Sequence, residues 1–400
     1  MLPRVRIMYE NGLLGSSSPS DDGVVGMVAS GVAVAGKMAL GTAYLLTKLG
    51  DLDSLGVTAE ANDANANLYR QVKEFYDEAP AGTKLWLMAV AESVTMTDIC
   101  DKTKAYAKKL ITAANGAINL LVVAKKNPSG YTATVVDGLD SDVFAAMTKA
   151  QALAEEAADE LFSPLLVLLP GMNYAGTASS LKDLSECGNN RVCIMIGDTS
   201  ASSTQACVGL AAGRIAAIPV QRSMARVKTG AISADNLYIG ASAAENGSPD
   251  VVHDQGYICP RTFVGKAGYY WSDDKLATAA TDDYALVPRR RVIDKAYRIA
   301  YRTLIEELNE EIPVTDEGMI PAAIVKSIQN TVERAIENGM TAYGNLGNDP
   351  SDANDTGVEC YIDTEQNIVS NSTLNVQLRV KPYGYAKYIN CYLGFKTASV

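Results

Sequence analysis

The chain has 400 residues, a hydrophobic fraction of 48 %, a charged fraction of 20 % and a formal net charge of −11. This composition excludes disordered and collagen-like proteins, and the length is sufficient for one large core or two ordinary ones. The negative charge opposes contact with nucleic acid or an anionic membrane, and the densest basic run is only Arg289-Arg290-Arg291. No run of 18 apolar residues occurs. We expect a folded protein that neither inserts into a membrane nor binds nucleic acid directly.

The chain contains few residues suited to catalysis or metal binding. His253 is the single histidine, so triad chemistry and poly-His metal sites would all depend on it. The seven cysteines are scattered and never spaced as C-x-x-C, which is typical of a reducing cytosol. We therefore expect no catalytic residues, no metal and no cofactor.

The first 23 residues predict an extended N-terminal arm. A short strand candidate that includes Val5 and Ile7 precedes a turn-rich Gly, Ser, Pro and Asp segment. Small and β-branched residues at 24–35 then predict one or two strands interrupted by glycine.

Between residues 65 and 220, apolar strands alternate with amphipathic helices. Helices are predicted over 65–79, 98–115, 142–162, 179–186 and 203–217. Strands are predicted over 85–90, 118–124, 165–169, 192–196 and 218–220. Because continuously apolar strands joined by helices are typical of a parallel sheet covered on both faces, this half predicts a doubly wound α/β fold.

After about residue 225 the pattern becomes irregular and rich in Gly and Tyr, and two long helices follow over 288–310 and 321–338. A polar loop is predicted over 344–357. The C-terminal segment has strict period-2 alternation, which predicts two strands joined by a turn at 382–384. Their apolar positions are Leu374, Val376, Leu378 and Val380 in the first strand and Ile389, Cys391 and Leu393 in the second.

The predicted fold class is therefore α/β, with a doubly wound, largely parallel sheet and helices on both faces, followed by a C-terminal α+β region that ends in an amphipathic β-hairpin. The predicted domains are an N-terminal arm at 1–23, an α/β domain at 24–225 and the C-terminal region at 226–400.

Three motifs suggest ligand chemistry and are weak. The run from Gly31 to Lys37 matches G-x-x-x-x-G-K, but a methionine stands where the Mg²⁺-binding hydroxyl belongs. The segment from Asp63 to Glu74 has calcium-loop spacing without the turn glycine, and a polar helix start explains it better. The pair His253-Asp254 has no nucleophile elbow beside it. The first motif supports the alternative hypothesis, a cytosolic α/β enzyme that binds a nucleotide or phosphate.

Self-assembly is the better-supported interpretation of the remaining features. Arg289, Arg290 and Arg291 open a helix, where the helix dipole disfavours cations, so carboxylates of a partner are expected there. Terminal strands expose backbone groups that must be paired, and strand addition between chains would pair them. The alternative is that both segments form edges of the sheet in their own chain, as in ordinary enzymes.

The order of parts resembles contractile tail sheath proteins of phages and related injection machines. The resemblance covers roughly residues 140–400. It rests on the strand 374–381, the aromatic-rich segment 388–395, the segment 256–271, the helix start at 289–293 and its continuation at 301–305. The chain departs from the commoner family pattern at 260–271, which indicates a divergent branch.

The resemblance implies a structural subunit without catalytic residues. Such a subunit assembles with copies of itself into stacked rings around an inner tail tube, lends terminal strands to its neighbours and contracts to drive injection. The implied further partners are the tube protein and the baseplate and tail terminator proteins. The implied location is the bacterial cytoplasm during assembly and the virion tail or injection particle at maturity.

Overall fold

The computed structural model describes residues 21–352 and 354–395 of the chain. Its strands are β1 Val25–Ser30, β2 Ala43–Leu46, β3 Leu85–Val90, β4 Leu120–Ala124, β5 Val135–Val136, β6 Leu139–Asp140, β7 Leu166–Pro170, β8 Val192–Met195, β9 Tyr238–Ile239, β10 Ser242–Ala243, β11 Pro260–Phe263, β12 Lys266–Trp271, β13 Val358–Ile362 and β14 Val376–Val380. Its α-helices are α1 Leu49–Ser54, α2 Leu68–Glu78, α3 Met96–Cys100, α4 Ala107–Ala113, α5 Ser141–Asp159, α6 Val208–Ala217, α7 Pro249–Asp254, α8 Val287–Leu304, α9 Ala322–Gly339 and α10 Ile368–Asn371. In this part of the chain no helix is long and apolar enough to cross a membrane.

The residues up to Tyr301 and those from Arg302 onward form two compact units. The centre of the first unit is a six-stranded sheet in the order β2-β3-β1-β4-β7-β8. All neighbours in it are parallel except β2, which runs antiparallel to β3 at one edge. Every residue of β1, β4, β7 and β8 is buried, as expected for a sheet that is covered on both faces.

Helices cover both faces of this sheet, which confirms the predicted doubly wound architecture. One core cluster joins the sheet to α2 and α6, and the other joins it to α3, α4 and α5. α2 and α6 approach closely because α6 carries Gly209 and Gly213 on the contact line. A Cβ atom at these two positions would lie 2.1 Å from the Gln71 carbonyl oxygen and 2.3 Å from that of Phe75.

α8 lies across the end of the sheet where the parallel strands begin. Arg291 donates to the carbonyl of Ile218 (3.1 Å), and Arg298 donates to those of Ile118 (2.7 Å) and Pro164. These guanidinium groups satisfy backbone carbonyls that precede β4 and β7 and one that follows α6. The helix is therefore anchored to the sheet by charge-assisted hydrogen bonds.

The second unit is small. α9 packs against the antiparallel pair β13 and β14, and its core contains Ile320, Val325, Ile328 and Ile362. Strand β14 confirms the strand predicted at 374–381. Its partner is β13, which immediately follows the segment that the sequence predicted to be a loop.

Several predicted elements differ from those observed. The helix predicted over 98–115 is two short helices, because the Asp101 carboxylate accepts from the Thr103 amide (2.8 Å) and hydroxyl (2.7 Å), which ends α3 in a local turn. The segment 179–186 contains only two 3₁₀ turns, and 218–220 is not a strand. The sequence pattern missed β2, whose alternation is weak because only Leu46 of its four residues is buried.

The predicted second C-terminal strand also differs from the structure. Residues 381–395 contain neither helix nor strand, so Ile389, Cys391 and Leu393 do not pair with β14. The predicted arm at 1–23, with Val5 and Ile7, lies outside the described residues except for the 3₁₀ turn Asp21–Gly23.

Candidate functional site

Doubly wound sheets usually bind ligands at the carboxyl end of the strands, in the crevice where the strand order reverses. Here that crevice lies between β1 and β4, where hydrogen bonds within the chain join the strand ends. The Ser30 hydroxyl accepts from the Lys126 amide (3.0 Å) and donates to its carbonyl (3.1 Å), which ties the two strand ends together. Beside it, Asn65 bonds to both the amide (2.9 Å) and the carbonyl (3.2 Å) of Val32. At the usual ligand position, polar groups of the protein are thus hydrogen-bonded to one another.

The segment from Gly31 to Lys37 does not form a phosphate-binding loop. It follows β1, but no helix begins after it. Val34 and Met38 exchange backbone hydrogen bonds of 2.8 and 3.0 Å in a tight reverse turn. The Met38 side chain is buried in the core. The alternative hypothesis of a nucleotide or phosphate site here is therefore wrong, because the oriented helix amides that bind phosphate are missing from this segment.

The other two motifs are also used structurally. The two ring nitrogens of His253 face carboxylates, Nδ1 at 3.0 Å from Asp254 and Nε2 at 3.2 Å from Asp273, so the ring is not oriented toward a nucleophile. Directly before the calcium-like segment, Asn62 accepts a hydrogen bond from the amide of Arg70 (2.9 Å), and α2 starts at Leu68 within the segment. Among the described residues no group of three or more His, Cys, Asp or Glu side chains is placed to hold a metal.

Two of the three arginines predicted to meet a partner are buried within their own chain. Arg290 lies 3.2 Å from Asp294 and stacks on the ring of Tyr284. Arg291 donates to the backbone carbonyls of Ile218 and Pro219, which follow α6, whereas Arg289 is half-buried. The carboxylate expected beside these arginines is therefore supplied by Asp294 of the same chain. Burial raises the pKa of the Asp294 carboxyl, and Arg191 beside it opposes the rise.

A buried charge cluster that the sequence did not predict joins α2 to the loop after β8. Arg70 binds Asp198 through two nitrogens, at 2.7 and 3.3 Å, and the Thr199 hydroxyl donates to Glu74 at 2.9 Å. The second oxygen of Glu74 is buried without a hydrogen-bond partner. Burial raises the pKa of Glu74 to about 7, and Arg70 partly opposes this. The cluster fixes the loop to the helix and makes the stability of this unit depend on pH.

A basic groove on the first unit was also missed. It has a volume of about 590 Å³ and is lined by Lys102, Lys104, Lys108 and Lys109, among others. The sequence contains four lysines in eight residues, a pattern that predicts a local basic surface. The net charge of −11 for the whole chain argued against such a surface.

The β13–β14 pair has one open edge. Cys360 points its amide at the Glu333 carboxylate of α9 (2.9 Å), away from β14. Its cross-strand partner Leu378 therefore points its backbone groups away from β13, because residues opposite each other in an antiparallel pair face inward or outward together. In the part of the chain that the structure describes, no strand pairs with this edge of β14.

The apolar side chains of β14 are covered only in part, since Val376, Leu378 and Val380 are all half-buried. The segment that follows exposes its large side chains almost completely, at 82 % for Ile389, 96 % for Leu393 and 102 % for Phe395. Contiguous apolar exposure of this kind is typical of an interaction surface. The candidate functional site is thus this open strand edge together with residues 385–395.

Comparison with known proteins gives a family and a fold. The family model described as DUF2586, N-terminal domain, matches residues 2–275, and that described as DUF2586, C-terminal domain, matches residues 283–399. No curated protein sequence gives a match to the chain.

Among the similar chains in solved structures are the following three. The first belongs to the cryo-EM structure of the anti-feeding prophage helical sheath in the contracted state (TM-score 0.64, 14 % identity, 99 % of both chains covered). The second belongs to the contracted PVC sheath complex, an extracellular contractile injection system (TM-score 0.63, 15 % identity, 99 % of this chain and 98 % of that one). The third belongs to the anti-feeding prophage baseplate structure (TM-score 0.60, 14 % identity, 99 % of both chains). The chain therefore has the fold found in these sheath structures, which confirms the predicted fold class.

Proposed function

Because the chain belongs to the DUF2586 family and has the fold of contractile sheath subunits, we propose that it is a structural subunit of a contractile tail sheath. It assembles with copies of itself into a helical tube around an inner tail tube, and the tube contracts to drive injection. The subunit has no catalytic role. The carboxyl end of the sheet agrees with this proposal, because polar groups where an α/β enzyme of this architecture would bind its substrate are hydrogen-bonded within the chain.

The observation that carries the proposal is the open edge of β14 beside an exposed apolar segment. An edge strand and an extended segment with alternating apolar residues complement each other, since strand addition pairs the backbone and buries the side chains. Residues 385–395 of one copy, with Ile389, Cys391 and Leu393, would cover the sheet of a neighbour.

Such an exchange produces a polymer rather than a closed pair. The donated segment and the accepting edge are different parts of one chain, so the contact is heterologous, and repeated heterologous contacts generate rings or helical filaments. Each large apolar side chain that becomes buried contributes roughly 1.5 to 3 kcal/mol. The N-terminal residues Val5 and Ile7 would take part in the same connections, with Leu374, Val376, Leu378 and Val380 in the accepting sheet and Arg289 in a further subunit contact.

The remaining partners follow from this role. The subunit would contact the inner tube protein along the bore and baseplate and tail terminator proteins at the ends of the tube. It would assemble in the bacterial cytoplasm and be found in a phage tail or another injection particle at maturity.

The test is a truncation that removes residues 385–400 and keeps β14. We expect the truncated chain to melt cooperatively at an unchanged temperature, since residues 386–395 of the removed segment are exposed, and to form no tubes in negative-stain electron microscopy. The point variant Leu393→Asp should behave in the same way. Val264→Asp is the matched control, because Val264 is equally exposed at the tip between β11 and β12 and should leave tubes intact.

Two results would count against the proposal. A truncated chain that still forms tubes would show that residues 385–400 do not connect subunits. A full-length chain that stays monomeric at every concentration would show that the chain is not a sheath subunit.

A further inference from the structure

The charge of this chain is unevenly divided between its two units. From Arg302 to the C-terminus there are 14 Asp and Glu and seven Lys and Arg, which gives −7 in 99 residues, so only −4 of the total −11 belongs to the first 301 residues. When copies of this chain assemble, the strongly acidic second unit of one copy either faces the less acidic first unit of another copy or is kept away from it.

The acidic excess is concentrated in one segment, residues 303–325, which contains no Lys or Arg. Its six carboxylates are those of Glu306, Glu307, Glu310, Glu311, Asp316 and Glu317. Five of them are exposed and Glu307 is half-buried. Exposed apolar side chains lie among them, at Ile305, Leu308 and Val314. A surface of exposed like charges with apolar side chains between them is suited to a cationic partner that also offers apolar contact.

The basic groove of the first unit has the complementary character. Lys102 and Lys108 share the buried carboxylate of Glu156, Lys104 lies 4.0 Å from Asp98, and Lys109 donates to the Gly41 carbonyl at 2.7 Å. Four ammonium groups thus surround one concavity with two carboxylates between them, and Lys104 and Lys109 have no carboxylate closer than 4 Å among the described residues.

We propose that the lysine groove formed by Lys102, Lys104, Lys108 and Lys109 receives the acidic segment 305–317 of a second copy of this chain. The proposal rests on the proposed function, because a sheath holds many copies at high local concentration. The two surfaces are different parts of the same sequence, so their contact is again heterologous and propagates along a filament instead of closing a dimer. It is independent of the strand exchange, since it uses neither β14 nor residues 385–395.

The experiment is sedimentation velocity of the full chain at 50 and 500 mM NaCl, combined with charge reversals. The variant Lys104→Glu/Lys109→Glu and the variant Glu310→Lys/Glu311→Lys should each weaken self-association roughly tenfold at low salt. The quadruple variant, which exchanges the charges of the two surfaces, should restore it. Wild type should associate more weakly at 500 mM than at 50 mM NaCl, because salt screens the attraction that the charge reversals remove.

The matched controls are Lys84→Glu and Glu365→Lys. Lys84 is 51 % exposed and Lys104 is 52 % exposed, and both lie near a single carboxylate of their own chain, so the control reverses an equivalent charge outside the groove. All variants are first melted, and an unchanged melting temperature shows that the fold is retained.

Each further outcome is decisive. Rescue by the quadruple variant supports the proposal even if no tubes form, in which case only the sheath function fails. Tubes whose formation ignores all reversals and salt would refute the groove contact and leave the sheath function standing. Reversals that shift the melting temperature of the monomer without changing association would place the contact within one chain. Binding of duplex DNA that is lost in Lys104→Glu/Lys109→Glu, with association unchanged, would assign the groove to nucleic acid.

Discussion

The parallel sheet of the first unit and the strand pair of the second differ in how completely they are covered. Every side chain of β4 and β7 is buried between two helical layers, whereas the apolar face of β14 is half-buried on one helix and its outer edge is open. A sheet that is covered on both faces is stable alone, and a two-stranded sheet is marginal alone. The difference indicates that the first unit is fully covered within one chain, whereas the second keeps an open strand edge and a half-covered apolar face.

Matched leucine truncations test this comparison most strongly. Leu168→Ala in β7 removes a fully buried side chain and should lower the free energy of unfolding by about 2 to 5 kcal/mol, because it leaves a cavity. Leu378→Ala in β14 should cost roughly 1 kcal/mol in the monomer, since the site is already half-exposed. Urea denaturation followed by circular dichroism measures both.

In tube formation, Leu378→Ala should have a larger effect than Leu168→Ala, the opposite of their order in monomer stability. Leu378→Ala should raise the concentration needed for tube formation, while any Leu168→Ala protein that is folded should assemble normally. Equal costs of the two substitutions in the monomer would show that the second unit is as fully packed as the first.

The buried carboxylate of the first unit predicts a pH dependence. The pKa of Glu74 is about 7 in the folded chain against an ordinary value of 4.5. Between these values the folded chain binds more protons than the unfolded chain, so its free energy of unfolding falls as pH rises from about 4.5 to 7, by up to about 3 kcal/mol. Above that range this contribution is constant.

Glu74→Gln should remove that slope, because the amide stays neutral. The difference in free energy of unfolding between the variant and wild type should therefore shift in favour of the variant as pH rises from 5 to 8. Urea denaturation at each pH measures this difference. Glu365→Gln, an exposed carboxylate of the second unit, is the control and should leave the profile unchanged. Parallel profiles for wild type and Glu74→Gln would mean that Glu74 is ionised throughout this range.

Two glycine substitutions, one in each unit, compare a close-packed position with an open one. Gly209→Ala places a methyl group 2.1 Å from the Gln71 carbonyl oxygen and should cost about 1 to 3 kcal/mol by forcing α2 and α6 apart. Gly394→Ala meets no atom within 4 Å and should not change the melting temperature. If Gly209→Ala melts like wild type, α2 and α6 are not as rigidly packed as their contact distance indicates.

Local patterns predicted the first unit well where a strong physical rule acts on neighbouring residues. The continuous apolar run at 85–90 is β3, and the Ala-rich pattern at 142–162 is α5, because burial on both faces or along one helical stripe determines the residue type at each position. The pattern failed where tertiary contacts dominate. β2 is held by its pairing with β3, and the polar run before β13 gives no sign that a strand follows it.

For the functional site, the sequence determined the alternation at 374–381 and the apolar residue types at 389–393, since both are properties of consecutive side chains, but it wrongly predicted a second strand there. It did not determine that β14 pairs with β13, that Arg290 and Arg291 are internal, or that four lysines surround one groove. These facts depend on which distant segments meet, and pairwise contacts between remote residues leave no periodic signal in a single sequence. Only the tertiary structure decided which charges and strand edges the chain satisfies itself and which it leaves open to another copy.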